Sequence, residues 1–249
     1  MKNILLQINY LSKNYHTKNS EIKAIDNLSF NLYQNEILAI VGPSGCGKST
    51  LLSILANLEE KSKGNIDFFH HNKIGYMLQS DSLFPWLTIQ ENILVGLDIK
   101  KEKTKQNIDN ALNLLKKYGL YEFKDQYPKS LSGGMRQRVA LIRTLAINPD
   151  LILLDEPFSA LDYQTRLALS DDMYNIIKNE GKTAILITHD IGEACSIADR
   201  VIVLTKRPCK VKNIYEINLL NKKTPIDNRK DDKFNYYYDL IWRDLDVHI

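Results

Sequence analysis

The sequence predicts an α/β protein whose strand–helix core is interrupted by a helical segment at about residues 84–148. Three observations carry this expectation. EILAIVG (36–42) is a buried apolar run that ends in a glycine-rich turn and then a helical stretch. LILLD, TAILIT and VIVLT recur later with helix-patterned segments between them, the alternation expected of a parallel sheet. Between these two blocks the apolar period lengthens from two to about 3.6 residues, so the intervening chain should be helical.

Taken in order, MKNILLQINYLSKNY alternates apolar and polar residues and reads as an edge strand. Gln7 and Asn9 interrupt it and no small-residue cleavage site follows, so it is not expected to be a signal peptide. The strand pattern runs on to Val41, and residues 48–58 read as a helix opened by the glycine loop. Two short strands at 65–69 and 74–78 flank a polar turn at 70–73. Thr88-Ile89-Gln90-Glu91 is a capping box, in which each end residue satisfies the other's backbone N–H, so a helix begins there. Ile108, Ala111, Leu112, Leu115 and Tyr118 share one helical face, and Gly119 supplies a stop. A third helix covers 135–147 before Pro149. Then follow LILLD, a helix over 163–179, TAILIT, a helix from Ile191 and VIVLT. No repeat, low-complexity tract or linker marks a second independent domain.

Composition bounds the partners. The chain has 249 residues, 44% apolar and 25% charged, enough for one large self-sufficient core. A net charge of +3 on 33 basic and 30 acidic residues gives no basis for nucleic acid as a partner. Three cysteines without CxxC spacing indicate neither a disulfide framework nor zinc, and fit a reducing compartment. No apolar run approaches the ~20 residues of a membrane span, so the chain by itself is expected to be soluble.

The chemistry begins at GPSGCGKST: Gly42, Pro43, Ser44, Gly45, Cys46, Gly47, Lys48, Ser49 and Thr50. Glycines let the backbone N–H groups wrap a triphosphate, Lys48 neutralises its oxygens, and the Ser49 hydroxyl can ligate Mg²⁺. LILLDEP puts Asp155 and Glu156 at the end of a second buried strand. Asp155 can hold Mg²⁺ directly or through water, and Glu156 can polarise an attacking water. Thr188-His189-Asp190 ends TAILIT, which aims His189 at the same strand edge, where open parallel sheets bind ligands. Cys46, beside Lys48 among N–H donors, is expected to be thiolate-prone and to alkylate faster than Cys195.

LSGGMRQR (131–138) poses a question. Ser132 is an N-cap candidate followed by Gly133 and Gly134, the grammar of a second anion-holding helix start in a chain that already has one.

The ordered set of phosphate loop, Gln79, LSGGMRQR, LILLDEP, SALD (159–162) and THD resembles that of ATP-binding cassette (ABC) ATPases over about residues 9–245. The resemblance implies a P-loop NTPase (RecA-like) core with an antiparallel β subdomain and an inserted α-helical subdomain, with ATP and Mg²⁺ as ligands. It implies that Tyr15 stacks on adenine, where the residues alone allow a plain edge-strand aromatic. Gln79 would sense Mg²⁺ and the attacking water, Glu156 would be the general base, and His189 would hold the γ-phosphate. Ser132, Gly133 and Gly134 would cap the nucleotide of a second cassette, with Asp162 coupling the paired sites. Two chains would close head to tail over two ATP molecules, and hydrolysis would reopen them. The second anion turn would thus serve the partner.

A finer similarity is to the ATPase subunits of bacterial importers for nitrate, sulfonates, taurine or thiamine-pyrimidine precursors. It rests on MLQSDSLFPWLTIQENILVGL, EPFSALD, ADRVIVLTKRP and the terminal FNYYYDLIWRDL. It implies integral-membrane permease partners, an extracytoplasmic solute-binding protein and a peripheral place on the cytoplasmic face of the cell membrane. Pro85-Trp86 would help dock the permease, unless it is ordinary helix-start packing. Asn57 and Cys209 depart from the glycines usual in these relatives. No large C-terminal regulatory domain is expected. A GTPase would need an acid after Asn72-Lys73 or Asn221-Lys222, and neither site has one. An ABC exporter subunit is the nearer alternative, and a soluble non-transport ABC ATPase the more distant one.

Overall fold

The computed structural model describes residues 3–16, 20–69, 73–159, 161–220 and 222–245. Most of the turn expected at 70–73 lies outside them, as do Ala160 and Asn221. Two sheets organise the chain. β1 (Ile4–His16), β2 (Glu21–Tyr33) and β4 (Lys63–Phe68) form an antiparallel sheet in the order β2-β1-β4. The second sheet contains β3 (Ile37–Val41), β5 (Ile74–Met77), β6 (Leu151–Asp155), β7 (Thr183–Ile187), β8 (Arg200–Leu204) and β9 (Val211–Glu216). Its order is β5-β6-β7-β3-β8-β9, parallel except for the antiparallel β9.

Continuous apolar sequence is what a parallel strand covered on both faces requires. ILAIV, LILL and TAILI meet it: every residue of β3 and β7 and the first four of β6 are buried. Each large aliphatic side chain so placed contributes roughly 1.5–3 kcal/mol through lost water contact. α1 (Lys48–Leu55) lies between the two sheets, with Leu51 and Leu52 packed among Leu6, Leu28, Leu153 and Ile185.

Between β5 and β6 the chain runs through α2 (Ile89–Ile99), α3 (Lys105–Lys117), two 3₁₀ turns and α4 (Gly133–Ala146). Thr88 caps α2 with the expected box: Glu91 N donates to Thr88 Oγ1 and Thr88 N donates to Glu91 Oε2. Gly119 has φ +71°, as a helix stop demands. α4 packs on α2, α3, α5 (Tyr163–Asn179) and β5, so its apolar face joins this helical stretch to the sheet. The approach to β5 is close. A Cβ on Gly75 would stand 2.5 Å from Thr144 Cγ2 and 3.1 Å from Thr144 O, and only glycine allows it. α6 (Ile191–Ile197) and α8 (Phe234–Asp244) cover the face near β8 and β9, and α7 (Pro225–Asn228) packs on α5 and α6.

Three expectations need correction. β1 is the middle strand of its sheet, not an edge, because alternation reports which face is buried and says nothing of how many edges are paired. α1 ends at Leu55 rather than residue 58, since Asn57 adopts φ +60° and turns the chain out of the helix. That left-handed conformation suits asparagine far better than most residues, so Asn57 serves where a glycine would. Of the two short strands on either side of residues 70–73, β4 joins β1 and β5 joins β6. α4 also starts earlier than the apolar pattern showed, because both glycines after Ser132 are already helical.

Candidate functional site

The order β6-β7-β3 sets the carboxyl ends of three buried strands side by side. β3 runs into the phosphate loop. Pro43–Cys46 makes a turn closed by Cys46 N donating to Pro43 O at 3.2 Å, with Gly45 at φ +71° and Gly47 at φ +127°. Gly47 then stands at the start of α1 with no side-chain cap, so the first amides of the helix remain donors for an anion. Lys48 is only 7% exposed and its ammonium donates to Gly42 O (2.7 Å) and Pro43 O (3.1 Å). Arg207 reaches the loop from the β8–β9 turn and donates through Nε and Nη2 to Gly45 O at 3.1 and 2.6 Å. Nothing in the spacing singled out Arg207, because its partner is 162 residues away.

At the end of β6, Asp155 accepts from Ser49 Oγ (3.4 Å) and Tyr76 OH (3.2 Å). Burial pushes its carboxyl up, opposed by those two donors. Tyr76 is pushed up to about 12 by burial and then by the Asp155 charge. Glu156 follows with φ +45°, an uncommon conformation costing roughly 1 kcal/mol or more that its neighbours must hold. Its amide donates to Ile187 O at 3.0 Å, and its Oε2 lies 3.1 Å from His189 Nδ1. Thr188 beneath is buried and donates to Glu193 Oε2 at 2.6 Å while accepting from Asp190 N, which pins the His189 turn. Gln79, just past β5, donates to Ser159 Oγ at 3.1 Å, and Ser159 Oγ donates to Glu156 O at 3.1 Å.

Tyr15 comes to the same place from the other sheet. Its hydroxyl donates to Glu59 Oε2 at 2.8 Å and lies 3.3 Å from Thr50 Oγ1, with Lys13 Nζ 4.9 Å from the ring centroid. Tyr15, the loop from Gly42 to Thr50, Gln79, Asp155, Glu156 and His189 therefore form one constellation. Ser132, Gly133, Gly134 and Asp162 form another. Ser132 caps α4, accepting from Met135 N at 3.3 Å, and Asp162 caps α5, accepting from Thr165 N at 3.0 Å. That amide, with the other backbone donors there, holds the Asp162 carboxyl below its usual range. A Cβ on Gly133 would stand 3.4 Å from Leu161 Cδ2, and one on Gly134 3.4 Å from Thr165 Cγ2, so the two caps adjoin. Among the described residues, no hydrogen bond joins Ser132 to the phosphate loop.

The thiols overturn one expectation. Cys46 is 1% exposed and packs under the loop, not into it, and burial pushes its thiol up against the opposing charge of Lys48. Cys209 is buried just beneath Gly47, and Cys195 lies in α6; burial pushes both up to about 12. Brief treatment of the folded chain with maleimide at neutral pH is therefore expected to leave all three unlabelled. Selective labelling of Cys46 on peptide mapping would contradict its burial.

The sequence pattern of the ABC transporter family matches residues 25–159, more than half of the chain. The chain belongs to the ABC transporter family. This ABC protein is similar to the uncharacterized ABC transporter ATP-binding protein YtlC of Bacillus subtilis, 43% identical over 96% of this chain and 95% of that one. It is similar to the aliphatic sulfonates import ATP-binding protein SsuB of Bacillus cereus, at 37% over 86% of each. It is also 41% identical to the formylaminopyrimidine import ATP-binding protein ThiZ of Halalkalibacterium halodurans, over 76% of each. Among solved structures, the dimeric structure of MJ0796, a bacterial ABC transporter cassette, superposes with a TM-score of 0.73 at 31% identity, covering 86% of this chain and 99% of that one. The ABC protein is thus an ATP-binding transporter subunit and an ATP hydrolase. No helix among its described residues is long and apolar enough to cross a membrane.

Proposed function

We propose that this ABC subunit drives import of a small solute, nitrate, a sulfonate, taurine or a thiamine-pyrimidine precursor, by closing as a head-to-tail pair over two ATP molecules. The observation that carries the reading is the existence of two anion-holding helix starts in separate constellations of one chain. A second copy turned end to end would bring the Ser132 turn of one chain to the phosphate loop of the other.

Each residue then has a task. The loop amides and Lys48 bind the phosphates, and Tyr15, tied to Thr50, offers its ring to adenine. Ser49 and Asp155 provide hard oxygen donors of the kind Mg²⁺ takes beside phosphate, with Gln79 at the rim; the ion when bound neutralises phosphate charge. Glu156 takes the proton of the attacking water. His189, oriented by its contact with Glu156, holds the γ-phosphate. Ser132, Gly133 and Gly134 complete the partner's site, and Asp162 couples the two.

The membrane side rests on Phe84 and Trp86, whose rings lie 5.4 Å apart and of which Trp86 is 69% exposed. They would seat an integral-membrane permease on the cytoplasmic face of the membrane, in a complex that also takes an extracytoplasmic solute-binding protein. The sulfonate and formylaminopyrimidine importers among the relatives support the solute class.

Disulfide trapping tests the pairing. The buried Cys46 is unsuited to it, but Ser44 is exposed in the same loop. A Ser44→Cys, Ser132→Cys chain should cross-link on mild oxidation into a dimer on a non-reducing gel, since Cα atoms within about 7 Å suffice. Either substitution alone should give no such product. A product closed within one chain would overturn the shared-site reading.

A further inference from the structure

Gln79 and Ser132 belong to separate constellations, yet a run of side-chain contacts joins them. Ser159 Oγ holds Glu156 O and accepts from Gln79. Two residues beyond Gln79, Asp81 Oδ2 accepts from Arg136 Nε at 2.9 Å. Arg136 Nη1 in turn donates to Leu131 O at 2.8 Å, the carbonyl immediately before Ser132. Arg143 lies one heptad further along α4, hence on the same face, and fastens the loop again through Ser82 O (2.7 Å) and Asp81 O (2.8 Å). One arginine thus grips the loop carrying Gln79 and the turn carrying Ser132 together.

We infer that Arg136, clasped by Asp81, is a positioning residue that makes the Ser132 turn follow the Gln79 loop, and so couples hydrolysis at the two ATP sites of the pair. The inference rests on the shared-site reading above. A rigid guanidinium fork bonded at both ends transmits displacement of one segment to the other, whereas a lysine or a single bond would let them slip. Arg143 only ties the loop to the helix and does not touch the turn, so it contributes anchorage without coupling.

The test is steady-state ATP hydrolysis by the full chain, with its ATP dependence fitted for cooperativity. The unmodified chain should give a Hill coefficient of about 2, the limit for two sites. Arg136→Gln and Asp81→Asn should each bring it to about 1 and slow turnover by up to about fivefold, the loss expected for one partly exposed ion pair. Binding of a fluorescent ATP analogue to the separate chain should change by less than about twofold. Asp81→Asn keeps the Oδ1 acceptor used by Leu83 N, so the local turn survives. In the double variant the losses should not multiply, because both changes break the same contact. Unchanged cooperativity in both single variants, losses that multiply, or non-cooperative hydrolysis by the unmodified chain would each overturn the clasp. Dimer accumulation by Glu156→Gln with ATP separates the two levels. If that dimer forms and Arg136→Gln stays cooperative, only the clasp fails; if it never forms, the shared-site reading fails first.

Discussion

Glu156→Gln should reduce ATP turnover at least about a hundredfold while changing ATP affinity by less than about twofold. A positioned general base is worth roughly 10²–10⁴ in rate, and that contribution exists only while a proton is being taken from water. Glutamine keeps the length of the side chain and can still meet His189 Nδ1, which lies 3.1 Å from the carboxylate. The backbone at φ +45° is held by the bond from Glu156 N to Ile187 O and by Ser159, neither of which depends on the side chain removed. The fold should therefore survive, and the closed pair, no longer reopened by hydrolysis, should accumulate. Size-exclusion chromatography with ATP and Mg²⁺ reads the dimer, and phosphate release reads the turnover. Turnover within tenfold of the unmodified chain would remove Glu156 from the role of base.

Ser132→Asp should be comparably damaging, and for a different reason. Aspartate caps a helix about as well as serine and its charge suits the positive end of α4, so the chain should be as stable as before. The same charge would face the γ-phosphate of the partner's nucleotide, where like charges in a closed, poorly hydrated site repel strongly. Turnover should fall about a hundredfold or more and the ATP-dependent dimer should vanish. Nucleotide binding by the separate chain should be untouched, because Ser132 is absent from that chain's own constellation. Weakened binding by the isolated chain would mean that Ser132 serves its own phosphate loop.

Local grammar was legible wherever one segment determines its own conformation. The Thr88 box, the Ser132 cap, the Gly119 stop and the apolar strands all follow from neighbours within a few residues. So did the meeting of Asp155, Glu156 and His189 at one edge, since parallel strands present their carboxyl ends together. What failed concerned direction or distance. The loop sequence showed donors around Cys46 but not that its side chain turns inward. Alternation in β1 revealed a buried face but not the second neighbour, β4. The contacts of Arg207 with Gly45 and of Arg136 with Asp81 span 162 and 55 residues, and no periodicity encodes pairs so remote.

Lys48 bears on how the chain endures repeated cycles of work. A buried ammonium without an acceptor would strain the fold whenever product departed. Here Gly42 and Pro43 turn their own carbonyls to it, so the loop itself solvates the cation with oxygen, and under the proposed function phosphate takes their place. Loading and unloading then become an exchange between two sets of acceptors. The loop can give up ADP and phosphate without loosening β3 or α1, and meet the next ATP already shaped.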